Sequence, residues 1–206
     1  QELAVLERST GVSSEVVALS YIYDEMNTGN PDIGAIRKFL VKAYADYGTL
    51  KYLTLFGDAS YDYKDRIEGN NNIVPVFEAY NSFNLASSYV TDDFYGMMDD
   101  NEGLLNSFER QDVATGRIPV SDVLQARQVV DKLLDYYSKE SFGDWRTNIT
   151  LIADDIDNAG EEILQLNMEK IATSIVSNKP VFNLKKLYLD AFIQETSSSG
   201  KTYPTV

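Results

Sequence analysis

The chain has 206 residues, 44% of them hydrophobic and 24% charged, enough apolar material for one sizeable core or two small ones side by side. Its net charge of −14 excludes a basic surface that would neutralise nucleic-acid phosphates, and it argues equally against docking on an anionic membrane. There is no cysteine and no histidine, so disulfides, thiolate metal sites and imidazole catalysis are absent from these residues.

The opening ELAVLERS has helical composition and TG follows as a stop signal. SEVVALSYIY then reads as a strand rich in β-branched and aromatic residues. In an α/β unit a strand normally precedes the first helix, and none is seen, so the start is expected to be cut. NPDIGAIRKFLVKAYADYG reads as a helix that Asn30 caps, with Pro31 at its first position and Gly48 at its end. Ile33, Ile36, Leu40, Ala43 or Tyr44, and Tyr47 recur at helical spacing and predict one buried face. LKYLTLFGD follows as an apolar strand, so Val16 to Phe56 predicts a strand–helix–strand unit and a parallel sheet.

From Ala59 to Asn106 the periodicity fades into Asn, Asp, Ser and Tyr. Aromatic residues, among them Tyr61, Phe77, Tyr80, Phe94 and Tyr95, predict an ordered loop packed on the body. QDVATGRIPV restores a strand and turn, with Arg117 free to pair one of the many acids. Ser121 is expected to cap a long helix whose core stripe is Ala126, Val129, Val130, Leu133, Leu134 and Tyr137. After FGDW a second α/β run begins, with strand NITLIAD, a helix through Leu164, Met168, Ile171, Ala172 and Ile175, and strand LKKLYLD. No run of about 18 apolar residues predicts a membrane span. The start does not read as a signal peptide, and any secretion signal is expected upstream.

The acids are the candidates for chemistry. Asp58 stands where a parallel strand ends, and DDNEG at 99–103 alternates acids around a turn. A loop carrying Asp100 and Glu102 could fold over Asp58 and share a hard cation such as calcium, which takes six to eight oxygens. The same acids serve equally as turn caps and solvated surface. The adjacent pairs Asp92-Asp93 and Asp154-Asp155 would point to opposite faces of a strand and do not make a dyad by adjacency. Serine catalysis lacks both a G-x-S-x-G elbow and a base, and no phosphate loop is present.

Five segments taken together, AIRKFLVKAYADYGTLKYLTLFGDASYDYKDR, SSYVTDDFYGMMDDNEG, DVATGRIPV, QARQVVDKLLDYY and DWRTNITLIADD, resemble in order and spacing a gingipain-type (family C25) cysteine peptidase. The likeness is greatest to the C25-like sortases of the type IX secretion system of Bacteroidetes. That resemblance implies a caspase-like α/β/α sandwich, with residues 1–142 as most of the first subdomain and 143–206 as the start of the second, catalytic one. It places the family's catalytic His and Cys beyond residue 206, so these residues hold no nucleophile or base. It implies structural calcium on Asp58, Asp99 and Glu102 with the Leu104 carbonyl, Asp100 replacing Asp99 if the alignment slips by one. It implies a protein or peptide substrate, secretion-system components as partners, and a secreted or outer-membrane, cell-surface location in a Gram-negative bacterium. A surface or adhesion module that kept the fold and lost the dyad is the alternative.

Overall fold

The structure, a computed structural model, describes residues 1–64, 66–79, 83–84, 87–105, 108–198 and 200–205. Tyr80 and Asn106, named above for the middle loop, lie outside them. The chain divides into two compact units, Gln1–Asp135 and Tyr136–Val206.

In the first unit, α1 (Glu2–Ser9), α2 (Leu19–Asn27) and α3 (Ile33–Tyr47) precede β1 (Tyr52–Phe56). β1 pairs in parallel with β4 (Ala114–Ile118), Tyr52 opposite Ala114 and Phe56 opposite Ile118. A long connection, 57–113, joins them. Within it β2 (Phe77–Glu78) and β3 (Val90–Thr91) make a short antiparallel pair, followed by a 3-10 turn at Asp93–Gly96. Most of this connection is irregular, as its composition predicts. The core gathers Ile22 and Tyr23 from α2, Ala35, Ile36 and Leu40 from α3, and Leu55 from β1. Val74, Tyr95 and Met98 from the connection, with Val113, complete it.

Five expectations are corrected here. SEVVALSYIY is not a strand: its second half opens helix α2, and the parallel partner of β1 is β4. The reason is visible at Leu19, Ile22, Tyr23 and Met26, a three-and-four spacing that sets one helical stripe against the core and overrides β propensity. Asn30 does not cap α3; Asp32 does, its Oδ1 accepting the Gly34 N–H at 2.7 Å, whereas Asn30 bonds back to Asn27 and Thr28. Gly48 ends the helix in the left-handed region at φ 62°, as expected, but Tyr47 is 75% exposed and outside the core. α4 (Val123–Tyr137) starts on Asp122, whose Oδ1 accepts the Gln125 N–H at 2.8 Å, and not on the Ser121 hydroxyl. Its stripe Ala126, Val129, Val130, Leu133 and Leu134 is half-buried, and Tyr137 is exposed.

The second unit follows the predicted order. β5 (Asn148–Ala153), α5 (Glu162–Asn178) and β6 (Asn183–Tyr188) form a strand–helix–strand with the two strands parallel, Asn148 opposite Asn183. Leu151 and Ala153 of β5 are buried with Ala172 of α5, while Leu164 and Ile171 stay exposed. A short antiparallel hairpin, β7 (Glu195–Ser197) and β8 (Gly200–Thr202), closes the described chain.

Truncation separates the two apolar positions on α3. Ile36→Ala, at 2% exposure, should lose about 2–4 kcal/mol of unfolding free energy in a denaturant titration. Tyr47→Ala should stay within roughly 0.5 kcal/mol of wild type. Equal losses would place the core elsewhere.

Candidate functional site

The carboxyl ends of β1 and β4 are the natural place to look, because open α/β sheets gather functional groups there. β4 alternates inward and outward, and Val113, Thr115 and Arg117 share the inward side, with Val113 fully buried. An arginine at an inward position needs partners. Arg117 Nε donates to Asp92 Oδ2 at 2.8 Å and Nη2 to Asp92 Oδ1 at 2.6 Å, a two-pronged ion pair. Nη1 donates to the carbonyls of Gly57 at 2.8 Å and Val74 at 2.7 Å, and Nη2 reaches Pro75 O at 3.4 Å. All five N–H groups are thereby used. The pair is well shielded, with 13% of the Arg117 and 21% of the Asp92 side chain exposed.

Each member of DDFYG has a separate task around that pair. Asp93 Oδ1 accepts from Gln111 Nε2 at 2.8 Å. The Phe94 ring stacks on Phe77 at 5.2 Å, with the Arg37 guanidinium 5.7 Å from its centre. Tyr95 is fully buried and its hydroxyl donates to Pro75 O at 2.6 Å; burial holds the phenol well above its ordinary pKa. Gly96 lets the chain pass against β4, since a Cβ there would lie 2.5 Å from the Val113 carbonyl. Gly57 is equally constrained at φ 150°, with Cγ2 of Ile73 and of Val74 within 2.8 Å of where a Cβ would stand.

The acids expected to share a cation are used locally. Asp58 Oδ1 accepts from the Ala59 N–H at 2.9 Å and Oδ2 from the Ser121 hydroxyl at 3.1 Å. Glu102 Oε2 accepts from the Asp99 N–H at 3.1 Å and Oε1 from the Arg110 N–H at 3.3 Å. The carbonyls of Met97 and Asp99, which a calcium ion would seek, already accept from Arg37 at 2.9 Å each. Asp100 is exposed on the same turn, and Leu104 is exposed. Among the described residues no group of three or more acids is placed to hold a metal ion. A guanidinium against the carbonyls and main-chain donors on the carboxylates do not fit one ion shared between Asp58 and the 99–102 turn.

Two residues that sequence reading passed over belong to the same region. Asp62 is buried and its Oδ2 caps the Arg66 and Ile67 N–H groups at 2.5 and 2.7 Å. Burial, and then the Asp62 charge, push Glu78 of β2 above its ordinary carboxylate range. An open cleft of about 530 Å³ lies between Ser60, Tyr61, Val76, Val90 and the Asp92–Arg117 pair. Its walls are more apolar than polar, and Arg117 has no donor left for an anion. In the second unit, Asp154 and Asp155 do not face one another as an acid pair. Asp154 Oδ1 accepts the Asp155 N–H at 3.0 Å, and Asp155 pairs with Lys201, which holds its carboxyl down at about 2.

The model of peptidase family C25 matches residues 1–206. Among solved structures, the chain is similar to the crystal structure of dimeric latent PorU from Porphyromonas gingivalis, at 32% identity and a TM-score of 0.55. That match covers 70% of this chain and 15% of the other, so the chain corresponds to about 15% of the length of the protein it matches. The α/β, caspase-like class implied by the resemblance is borne out. No curated protein matches the chain.

Arg117→Lys keeps the charge but cannot make the two-pronged pair and three carbonyl bonds together. It should cost about 2–4 kcal/mol in denaturant unfolding, and a loss near zero would show that the knot is incidental. In thermal unfolding, calcium should give no rise in midpoint that both Asp58→Ala and Glu102→Ala abolish. Such a rise, absent with magnesium, would restore the shared ion.

Proposed function

The chain belongs to peptidase family C25, and on that premise we propose that it is the N-terminal portion of a secreted cysteine-endopeptidase or sortase catalytic domain, acting at the cell surface on protein or peptide substrates. The observation that carries this reading is the family match along the whole chain, joined to the absence of any cysteine or histidine within it. On this reading the nucleophile and its base come from sequence outside these residues.

In the intact protein, a cysteine thiolate beside histidine attacks the scissile peptide carbonyl. The histidine passes the thiol proton to the departing amine, leaving a thioester acyl-enzyme. Water then gives hydrolysis, or an acceptor amine gives transpeptidation, and either restores the thiol. The part played here is support. The Arg117–Asp92 pair fixes the carboxyl ends of β1 and β4, and the parallel β5–β6 pair begins a second sheet. Substrate proteins and components of a secretion system are the partners this reading calls for. No described helix is long and apolar enough to cross a membrane.

The test uses the intact protein with reporter peptides, with and without an added amine acceptor, before and after thiol alkylation. Cleavage or amine transfer that alkylation abolishes is the expected result, with the 206-residue chain inert alone. An intact protein that neither cleaves nor transfers would turn the reading to a non-catalytic surface module.

A further inference from the structure

The β7–β8 hairpin pairs three residues a side, Glu195 with Thr202, Thr196 with Lys201 and Ser197 with Gly200, and all six are exposed. It contributes no residue to a core, and a two-stranded hairpin is marginal in water by itself. Lys201 reaches away from it. Its Nζ donates to Asp155 Oδ2 at 2.8 Å and also pairs with Asp157. Both acids follow directly on β5, which ends at Ala153, so the ammonium sits at the carboxyl end of the parallel β5–β6 pair. Strand ends of this kind are where open α/β sheets receive ligands.

The contact is better shielded than the other cross-element pair of this unit. Asp155 keeps 10% of its side chain exposed and Lys201 32%, against 43% and 45% for Lys186 of β6 and Glu169 of α5. Shielding strengthens the Coulomb term, and two carboxylates share one cation. The hairpin is thus held by a charge contact that other cations can compete for, together with the buried hydroxyl of Tyr203, which follows β8 and interacts with the same Asp155 carboxylate, while the six strand residues bury little.

We propose that the β7–β8 hairpin is a strap, fastened across the carboxyl end of β5 by the Lys201 ammonium between Asp155 and Asp157, and released when that ammonium is displaced. Release uncovers the strand end without unfolding β5 or β6, because their parallel ladder runs from Asn148–Asn183 to Ala153–Tyr188 independently of the hairpin.

Amide hydrogen exchange on the intact protein, read by mass spectrometry peptide by peptide, tests this. Lys201→Ala should raise exchange over 195–202 by about two- to fivefold, the range supported by one shielded and one exposed ion pair, and leave β5 and β6 unchanged. Lys201→Arg should keep most of the protection. Lys186→Ala should leave the hairpin as in wild type, and rising ionic strength should loosen wild type but not Lys201→Ala. Unchanged exchange in Lys201→Ala, or a loss spread equally over β5 and β6, would overturn the strap. No catalytic readout enters, so failure here is separate from failure of the peptidase reading.

Discussion

The first unit depends on where one guanidinium goes. β1 and β4 are parallel neighbours joined by 57 residues that contain no α-helix among those described, although parallel strands are ordinarily joined by a helical crossover. Nothing in such a connection fixes its path by its own ladder. Arg117 does that work, because one planar group binds the end of β1 at Gly57, the returning chain at Val74 and Pro75, and the DDFYG segment at Asp92. Removing water from those carbonyls and that carboxylate carries a desolvation cost, and full use of the five donors offsets it. Tyr95, bonded to the same Pro75 carbonyl, and Gly96, pressed against Val113, then follow as consequences of that placement.

How much of this could be read from the residues divides along a physical line. Local chemistry was legible: Gly48 stops α3, the β5–α5–β6 succession is where periodicity puts it, and the middle of the chain is irregular. What failed was anything decided by distant packing. Leu19 to Met26 carries β-branched and aromatic neighbours, yet its stripe buries against α3 and the core, and so it is helical. Asp32 displaced Asn30 as cap by standing two residues closer to the first turn, directly before Ile33. The pairing of Arg117 with an acid was foreseeable, whereas its choice of Asp92 and of three carbonyls was not, since these lie 25 to 60 residues away in sequence. A sharper signal was present: Arg117 follows Val113 and Thr115 at alternate positions on one face of a strand, and a charged residue on that side calls for a partner.

The candidate site divides in the same way. The family resemblance implies one ion shared by Asp58, Asp99 and Glu102, with Asp100 replacing Asp99 if the alignment slips by one. In this structure Asp58 meets the Ser121 hydroxyl and Glu102 meets main-chain donors of its own loop. Arg37 is the cation this structure places beside the 97–99 turn. Its guanidinium donates to the carbonyls of Met97 and Asp99 on that turn.

The abundance of carboxylates in a chain of net charge −14 then has a reason that requires no ligand. An irregular connection leaves main-chain N–H groups without ladder partners, and each such donor needs an acceptor when it is shielded from water. Here acids supply them: Asp62 for Arg66 and Ile67, Asp112 for Met98, Glu102 for Asp99 and Arg110, and Glu109 for Gly103 and Leu105. A carboxylate accepts two or more such bonds from one short side chain, which a serine or asparagine oxygen does less well. Acidic richness in this segment is thus the counterpart of its lack of regular structure. The same logic extends to the second unit, where Glu161 caps Asp157 and Asn158 and is held below its ordinary range by those bonds, first of all that from the Asn158 side chain. Part of the charge that reads from composition as an invitation to a cation is the acceptor half of the backbone's own hydrogen bonding, and part pairs with Arg and Lys side chains.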